Sequence, residues 1–209
     1  MTSYSVFIID TSSRQPVEAE LLDMIGEQQL LDWQFQWRRT LEVYLRRLAD
    51  NGMTRQDLDW PQSWHWDWRA KVNEVRGLLG HTGYSVVYRD VTQGMMRLDL
   101  ASRTARLGGQ AGKPLVYVDY LEIAPWNWHE SYADPPLYRG IGQVLIRTAI
   151  QRSFDEGFHG RVSLHSLPQA VTFYERCGFT NLGTNPNEYK GLLPYFEITT
   201  ERAKTFLQG

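Results

Sequence analysis

Apolar residues recur along this chain with two different spacings, which predict strands and helices that follow one another. Alternating or continuous apolar runs predict strands at residues 4–10, 83–90, 93–100, 103–107, 115–124 and 160–165, with a hairpin over 180–199. Apolar residues three and four apart predict helices at residues 17–26, 28–50, 61–79, 143–154 and 167–177. The chain is therefore predicted to be a mixed α/β protein, with residues 115–124 as its central strand.

A glycine-rich turn opens the helix that follows the central strand. Its sequence is Arg139-Gly140-Ile141-Gly142-Gln143. Glycine lets backbone N–H groups approach a ligand, and the first turn of a helix offers free N–H groups and the positive end of the helix dipole. The turn therefore predicts a phosphate site, although tight packing of strand on helix explains the glycines equally well. A dinucleotide-binding pattern does not fit, because its third glycine falls on Leu145.

A second segment decides between these two interpretations. After the strand at 160–165, Ser166-Leu-Pro-Gln169 has the form of a capping box with proline in the first helical turn. The helix then places Ala170, Phe173, Tyr174 and Cys177 on one face and ends at Gly178-Phe179. Together, in this order and spacing, the two segments resemble the GNAT superfamily of N-acetyltransferases over about residues 115–180.

The resemblance implies an α/β (α+β) fold of the GNAT type, with a mixed, mostly antiparallel central sheet flanked by helices. We expect a single acyltransferase domain over residues 1–209, a length that allows one substantial core. Residues 1–82 would form an enlarged N-terminal helical region on the acceptor side, and residues 83–209 would form the core sheet with the coenzyme A site.

The resemblance also implies the cofactor and the residues that hold it. Acetyl-coenzyme A is the expected donor and coenzyme A the product. The backbone of the central strand would hold the pantetheine arm and stabilise the oxyanion, at Leu121, Glu122 and Ile123. The helix-opening turn would hold the pyrophosphate, at Tyr138, Arg139, Gly140, Ile141, Gly142 and Gln143.

Acetyl transfer requires an acid and a base, and the sequence offers candidates for both. The resemblance assigns Tyr174 as the acid that protonates the leaving thiolate, with core packing as its alternative role. The candidate bases are Asp119 and Glu122, because carboxylates in an apolar strand are costly without a task or a partner. Their odd spacing sends them to opposite faces of a regular strand, and Asp119, two residues before Leu121, is preferred.

Three departures from the family pattern concern the cofactor site. The leading Arg or Gln of the first motif falls on Leu137, and the Asn of the second motif falls on Leu167. The segment between Pro125 and Gly140 is longer than the family commonly has. Residues 126–135 must therefore loop out beside the mouth of the active site.

Composition narrows the class of protein. The net charge of −2 and the pI near 6.2 argue against a dedicated nucleic-acid binder. Cys177 is the single cysteine, which excludes an internal disulfide and suits a cytoplasmic protein. No apolar run approaches a membrane span, and the five histidines lack metal-ligand spacing, so neither a membrane nor a metal is expected. His165, near the expected chemistry, and His129, in the loop, are expected to be structural.

Tryptophans and arginines bear on the acceptor, which we expect to be a primary amine of a small molecule, peptide or protein. Two helical stripes of tryptophan are expected in the core: Trp33 with Trp37, and Trp64 with Trp68. Four others could wall an acceptor pocket: Trp60, Trp66, Trp126 and Trp128. Four arginines form either a solvated helix face or a surface for an anionic acceptor: Arg38, Arg39, Arg46 and Arg47.

Two other functions stay open beside acetylation of an amine. One is a toxin-like acetyltransferase acting on aminoacyl-tRNA, for which the arginine face is the hint. The other is a non-catalytic protein that binds acyl-coenzyme A, because Leu137 and Leu167 relax the cofactor motif. The sequence leaves the acceptor, the acyl length and the oligomeric state open, a homodimer included.

Overall fold

The computed structural model describes residues 2–57, 60–128 and 135–209. Within them, strands pair in the order β6-β1-β2-β3-β4-β5-β7-β9-β8. The strands are β1 (Ser3–Asp10), β2 (Pro16–Leu22), β3 (His81–Tyr88), β4 (Val91–Asp99), β5 (Val116–Ile123), β6 (Tyr138–Arg139), β7 (Val162–His165), β8 (Thr180–Thr184) and β9 (Pro194–Ile198). Strands β5 and β7 pair in parallel, whereas β1–β2, β2–β3, β7–β9 and β8–β9 are antiparallel. The predicted fold class, a mixed and mostly antiparallel sheet with flanking helices, is confirmed.

The helices are α1 (Glu27–Asp32), α2 (Arg38–Asp50), α3 (Trp68–Glu74), α4 (Ile141–Asp155), α5 (Val171–Arg176) and α6 (Thr200–Gln208). A π-helical turn, Trp33–Trp37, joins α1 to α2, so the helix predicted at 28–50 is confirmed. The buried Asp32 carboxylate accepts hydrogen bonds from the Thr92 N–H (2.9 Å) and hydroxyl (2.7 Å), and Trp37 Nε1 donates to the Thr92 carbonyl (2.9 Å). Both ends of the π turn are thereby tied to β4.

Residue contacts divide the chain into two compact units. Unit 1 comprises Met1–Leu78, Gly83–Met96 and Leu121–Leu145. Unit 2 comprises Leu79–Thr82, Arg97–Tyr120 and Ile146–Gly209. The expected single domain, with a division at residue 82, stays a prediction.

In unit 1, the first turns of α4 pack on β4. Ile141 and Leu145 are buried on the apolar face of the helix. A Cβ added to Gly94 on β4 would lie 2.6 Å from Ile141 Cγ2 and 3.1 Å from Leu145 Cδ1, so only glycine allows this packing distance. Other core residues of this unit are Ile8, Trp37, Trp68, Val86, Met95, Met96 and Ala124.

Unit 2 has its own apolar core, formed by Leu98, Leu115, Val118, Ile146, Ile150, Val162, Phe196 and Ile198. One fully buried carboxylate, Glu197 on β9, lies beside this core. It accepts hydrogen bonds from the backbone N–H groups of Arg106 (2.7 Å) and Leu107 (3.1 Å) and from Gln110 Nε2 (2.6 Å). These bonds satisfy the carboxylate and fix the loop between β4 and β5.

Residues 17–26, predicted as a helix, instead contain strand β2. Ala19 and Leu21 are buried while Glu18 and Glu20 are exposed, which is the two-residue period of a half-buried strand. The strand pairs with β1 and β3, with Ala19 opposite Val6. The helix prediction was wrong because a short apolar segment fits both periods until its sheet partners are known.

Two elements are shorter than predicted. The helix at 61–79 is reduced to α3, which begins after Asp67, whose carboxylate accepts a hydrogen bond from the Ala70 N–H (2.9 Å). The strand at 103–107 is reduced to an isolated bridge between Thr104 and Pro114. The strands at 4–10, 83–90, 93–100, 115–124 and 160–165, the helix at 143–154 and the hairpin over 180–199 are confirmed with small shifts of their ends.

The start of α5 and the end of the chain also differ from the prediction. Ser166 does not cap a helix, because its hydroxyl donates to the Leu167 carbonyl (2.8 Å) and a 3-10 turn, Pro168–Ala170, precedes α5. Helix α6 was not predicted; its N-cap is Thr199, which accepts a hydrogen bond from the Arg202 N–H (3.3 Å). None of the helices that the structure describes is long and apolar enough to cross a membrane.

Candidate active site

The predicted pyrophosphate turn forms the start of α4 in unit 1. Gly140 has a φ of +90°, which favours glycine, and a Cβ built there would meet no atom within 4 Å. The first helical hydrogen bond runs from the Val144 N–H to the Gly140 carbonyl (2.9 Å). The N–H groups of Ile141, Gly142 and Gln143 therefore have no acceptor within the helix, and open space lies beside the turn. This arrangement fits a phosphate.

Tyr138 and Arg139, which precede the turn, form β6. They pair with the end of β1, with Arg139 opposite Ile9 and Tyr138 opposite Asp10. The Tyr138 ring packs edge-on against Tyr88, with ring centroids 5.1 Å apart, whereas Arg139 is exposed. The turn is thus attached to a strand on its N-terminal side.

The other predicted cofactor residues, Leu121, Glu122 and Ile123, are the last residues of β5. Leu121 and Ile123 are half-buried. Trp128 Nε1 donates to the Ile123 carbonyl (2.9 Å), which fixes the end of the strand. All nine predicted cofactor-binding residues lie in unit 1. Their contacts with coenzyme A stay a prediction.

Glu122 is a buried carboxyl group with specific hydrogen-bond donors. Glu122 is 8% exposed, and Trp68 Nε1 donates a hydrogen bond to Glu122 Oε2 (2.6 Å). Burial raises the pKa of Glu122 to about 7, against the hydrogen bonds from Trp68 and Ser63 that lower this pKa. A group with this pKa exchanges its proton near neutral pH, as a general base must.

Asp119, the preferred base in the sequence, lies in unit 2 and has different partners. Arg97 contacts its Oδ2 through Nε (3.1 Å) and through the terminal nitrogen (3.0 Å), and His81 Nδ1 lies 3.8 Å from the same oxygen. Burial raises the pKa of Asp119, and Arg97 opposes that rise. The preference for Asp119 stays a prediction, but its ion pair leaves Glu122 as the carboxyl better suited to accept a proton.

Tyr174 lies on α5 among aromatic rings of unit 2. Its ring centroid is 5.1 Å from that of Phe173, 5.9 Å from Phe179 and 6.0 Å from Phe196. Burial raises the pKa of the Tyr174 phenol above its ordinary value, so the phenol keeps its proton at neutral pH. A protonated phenol suits a general acid, and the aromatic contacts also suit core packing.

A polar cluster in unit 2 was missed in the sequence. His165 Nδ1 lies 2.8 Å from the Tyr117 hydroxyl, and His165 Nε2 lies 3.4 Å from Glu188 Oε2. Arg106 donates to Glu188 (2.7 Å) and, with Arg103, lowers the pKa of Glu188 to about 2, while burial lowers the pKa of His165. The structural role expected for His165 fits these contacts. No local sequence motif predicts the cluster, because strand pairing and two loops bring its residues together.

The tryptophan predictions have mixed outcomes. Trp33, Trp37 and Trp68 are buried as expected, but Trp64 is half-exposed, with Arg55 over its ring at 4.2 Å. Trp60, expected off the core, is buried. The remaining members of the proposed pocket wall are half-buried or hydrogen-bonded, and their role stays a prediction: Trp66, Trp126 and Trp128. The loop prediction at 126–135 and His129 fall partly or wholly outside the described residues.

In the part of the chain that the structure describes, no group of three His, Cys, Asp or Glu residues could hold a metal ion.

Both sequence motifs, the α4 turn and the α5 segment, fall within one region of similarity. Residues 138–195 match the family model of the acetyltransferase (GNAT) domain. The predicted resemblance to the GNAT superfamily is confirmed over this part of the chain. The match indicates an acyltransferase, as predicted.

Solved structures share the fold of this chain. PaiA N-acetyltransferase from Thermoplasma acidophilum, in complex with coenzyme A, matches with a TM-score of 0.55 and 14% identity over 88% of this chain and 99% of that chain. A bacterial toxin matches with a TM-score of 0.54 and 14% identity over 99% and 96%. A putative GNAT acetyltransferase from Desulfovibrio desulfuricans matches with a TM-score of 0.50 and 14% identity over 86% and 96%. No curated protein matches the chain in sequence. These structural similarities establish the fold alone and leave the acceptor open.

Proposed function

We propose that the protein transfers the acetyl group of acetyl-coenzyme A to a primary amine of a small molecule, peptide or protein. Glu122 acts as the base and Tyr174 as the acid. The observation that carries this proposal is the buried Glu122 carboxyl, whose pKa is raised to about 7. It stands on the strand whose backbone is expected to hold the pantetheine arm. The expected cytoplasmic location belongs to the same proposal.

The residues at the start of α4 fit the cofactor. The N–H groups of Ile141, Gly142 and Gln143 would hold the pyrophosphate, and the open space beside Gly140 leaves room for it. Backbone N–H groups at Leu121–Ile123 would hold the pantetheine arm and donate to the oxyanion. Acetyl-coenzyme A supplies the activated thioester carbonyl, and coenzyme A is released.

The base must act because a Lys-like amine has a pKa of about 10.4 and is mostly protonated at neutral pH. The Glu122 carboxylate accepts a proton from the amine nitrogen, which then bonds to the thioester carbonyl carbon. As the carbon–sulfur bond breaks, the Tyr174 phenol gives its proton to the sulfur. The nitrogen loses its second excess proton to solvent, and solvent returns a proton to the Tyr174 phenolate. A base with a pKa near 7 is half-ionised at neutral pH and still basic enough to take the proton.

The test is direct. Purified protein and acetyl-coenzyme A are offered a panel of primary amines and a cell extract, and products heavier by one acetyl group are identified by mass spectrometry. In parallel, acetyl-coenzyme A should raise the melting temperature, whereas NAD and ATP should raise it far less. Equal shifts from all three nucleotides, with no acetylated product, would refute the proposal.

A second acceptor class is supported by one surface. Arg39, Arg46 and Arg47 of α2 are exposed, and Arg38 lies over the Trp33 ring (5.6 Å). Such a face could bind the phosphates of an aminoacyl-tRNA, as the toxin-like alternative requires. The similarity to a bacterial toxin concerns the fold alone. The net charge of −2 favours a small amine or peptide.

A further inference from the structure

Two buried side-chain amides, Gln93 and Asn127, form what we call the amide clasp. Gln93 on β4 is 3% exposed and Asn127, in the turn after β5, is 6% exposed. Gln93 Oε1 accepts hydrogen bonds from Asn127 Nδ2 (3.0 Å) and Trp126 Nε1 (2.9 Å), and Gln93 Nε2 donates to the Val91 carbonyl (3.1 Å). The Gln93 backbone carbonyl also accepts from the Ala124 N–H (2.9 Å). The Gln93 side chain is therefore fixed in one orientation.

The clasp continues to the other end of the long segment that separates β5 from α4. Asn127 Oδ1 accepts a hydrogen bond from the Tyr138 N–H (2.9 Å), and the Trp126 carbonyl accepts from the Leu137 N–H (2.9 Å). On its other side, the Leu137 carbonyl accepts from the Thr11 N–H (3.0 Å). These bonds close the base of the segment, whatever its length beyond Trp128.

Tyr138 stands two residues before Gly140, where the cofactor turn begins. A buried amide pair tolerates only those positions in which each donor meets an acceptor, because an unmatched polar group is costly there. Two apolar side chains at these positions would keep their packing contacts through many small displacements. The clasp therefore specifies the position of Tyr138, and through it the direction of the N–H groups at Ile141–Gln143.

We infer that Gln93 and Asn127 are positioning residues, which hold the turn at Tyr138–Gly142 in the geometry that binds the coenzyme A pyrophosphate. This inference rests on the proposed use of acetyl-coenzyme A. It explains how the site accommodates a connecting segment longer than the family commonly has. Neither residue is required to touch the reacting atoms, so their loss acts on cofactor affinity more than on the chemical step.

The first experiment compares Asn127→Ala with Asn73→Ala, the same substitution at an exposed position on α3 of the same unit. Calorimetric titration with coenzyme A should give a Kd raised about tenfold in Asn127→Ala, the effect of one buried hydrogen bond, and unchanged in Asn73→Ala. With an acceptor from the amine panel, KM for acetyl-coenzyme A should rise while kcat stays within about twofold. In hydrogen exchange without ligand, the hydrogen-bonded amides of Tyr138 and Val144 should be deprotected before the rest of α4.

The second experiment uses Asn127→Asp, which keeps the acceptor for the Tyr138 N–H. A buried carboxyl has a raised pKa, and in its protonated form it can donate to Gln93 Oε1 as the amide does. The ratio of this variant's Kd to the wild-type Kd should be near one at pH 5 and should rise to about ten by pH 8. This comparison also serves if Asn127→Ala does not fold.

The outcomes separate the two levels of the argument. Wild-type protein that binds coenzyme A, with Asn127→Ala within twofold of it, would overturn the clasp and leave the proposed function intact. A pH-independent Kd ratio for Asn127→Asp would overturn it as well. Wild-type protein that shows no binding of coenzyme A would refute the proposed function, and the clasp inference with it.

Discussion

The sharpest test of the proposed base is Trp68→Phe, which removes one donor from Glu122 without changing the carboxyl itself. Trp68 Nε1 lies 2.6 Å from Glu122 Oε2. A hydrogen bond to a charged group contributes about 1.5–3 kcal/mol, which is equivalent to about 1–2 pKa units. Its loss disfavours the ionised form, so the pKa of Glu122 should rise from about 7 by that amount.

The assay is the pH dependence of kcat/KM for the acceptor, at saturating acetyl-coenzyme A. The base must be ionised, so the acidic limb reports its pKa in the enzyme–acetyl-coenzyme A complex before the acceptor binds. In wild type this limb should fall near pH 7, and in Trp68→Phe it should move to higher pH by about 1–2 units. Activity above the new limb should recover.

Trp64→Phe is the matched control, because this indole is stacked with Arg55 rather than bonded to Glu122. The acidic limb of Trp64→Phe should coincide with that of wild type. Titration of the acceptor amine affects every variant equally, so it does not contribute to the difference between limbs. Trp68→Phe also leaves a void in the core and should lower the melting temperature. The rates are therefore measured well below the melting temperature of each variant at every pH, where the folded fraction stays near one. Coincident limbs for wild type and Trp68→Phe would refute Glu122 as the base.

The remaining predictions concern the base, the acid, the cofactor turn and the acceptor. Glu122→Gln should lower kcat by about 10²–10⁴-fold, and Asp119→Asn should lower it less once both are shown to fold by circular dichroism; the reverse order would restore Asp119 as the base. The folded pKa of Glu122, about 7, lies above the ordinary value of 4.5, so its contribution to stability is full below pH 4.5 and is lost as the pH rises to 7. Denaturant titrations should therefore show Glu122→Gln gaining about 3 kcal/mol on wild type between pH 4 and pH 8. Tyr174→Phe should keep cofactor binding and lower kcat by about 10²–10⁴-fold, and an unchanged rate would make Tyr174 a packing residue. Gly142→Val should abolish the thermal shift by acetyl-coenzyme A, since its side chain would occupy the pyrophosphate site; a normal shift would leave the turn a packing feature. If tRNA is the acceptor, activity should fall steeply with salt and be lost in Arg39→Glu/Arg46→Glu, whereas we expect a weak salt dependence with a small amine.

The sequence predicted those parts of the molecule whose determinants are local. The start of α4 combines a glycine turn with a regular apolar face, and both signals lie within a few residues of one another. Strand β2 was missed because the alternation that defines it becomes decisive only with β1 and β3 on either side. The balance between Asp119 and Glu122 could not be judged either, since it depends on Arg97 and Trp68, which strand pairing and folding of the chain bring to them.

The same limit applies to the polar contacts that surround the site. His165 is bonded to Tyr117, and Glu188 is held by arginines more than eighty residues away in sequence. The sequence predicts that Tyr117 lies in the central strand and that His165 ends another strand, but nothing along the chain indicates that either residue meets the other or Glu188. The sequence does not predict the amide clasp either, because Gln93 and Asn127 come together only when β4 and the turn after β5 lie side by side.

Gly94 has a consequence for how this protein can vary. The missing side chain sets the distance between β4 and α4, and a methyl group there would meet Ile141 Cγ2 at 2.6 Å. Ile141 is branched at Cβ and lies in the turn whose N–H groups face the predicted ligand, so it cannot yield without moving that turn. Selection for cofactor use should thus act strongly on a position outside the predicted set of cofactor-binding residues. In a library of variants, Gly94→Ala should be depleted alongside substitutions in the site itself, and its second-site suppressors should be smaller residues at position 141.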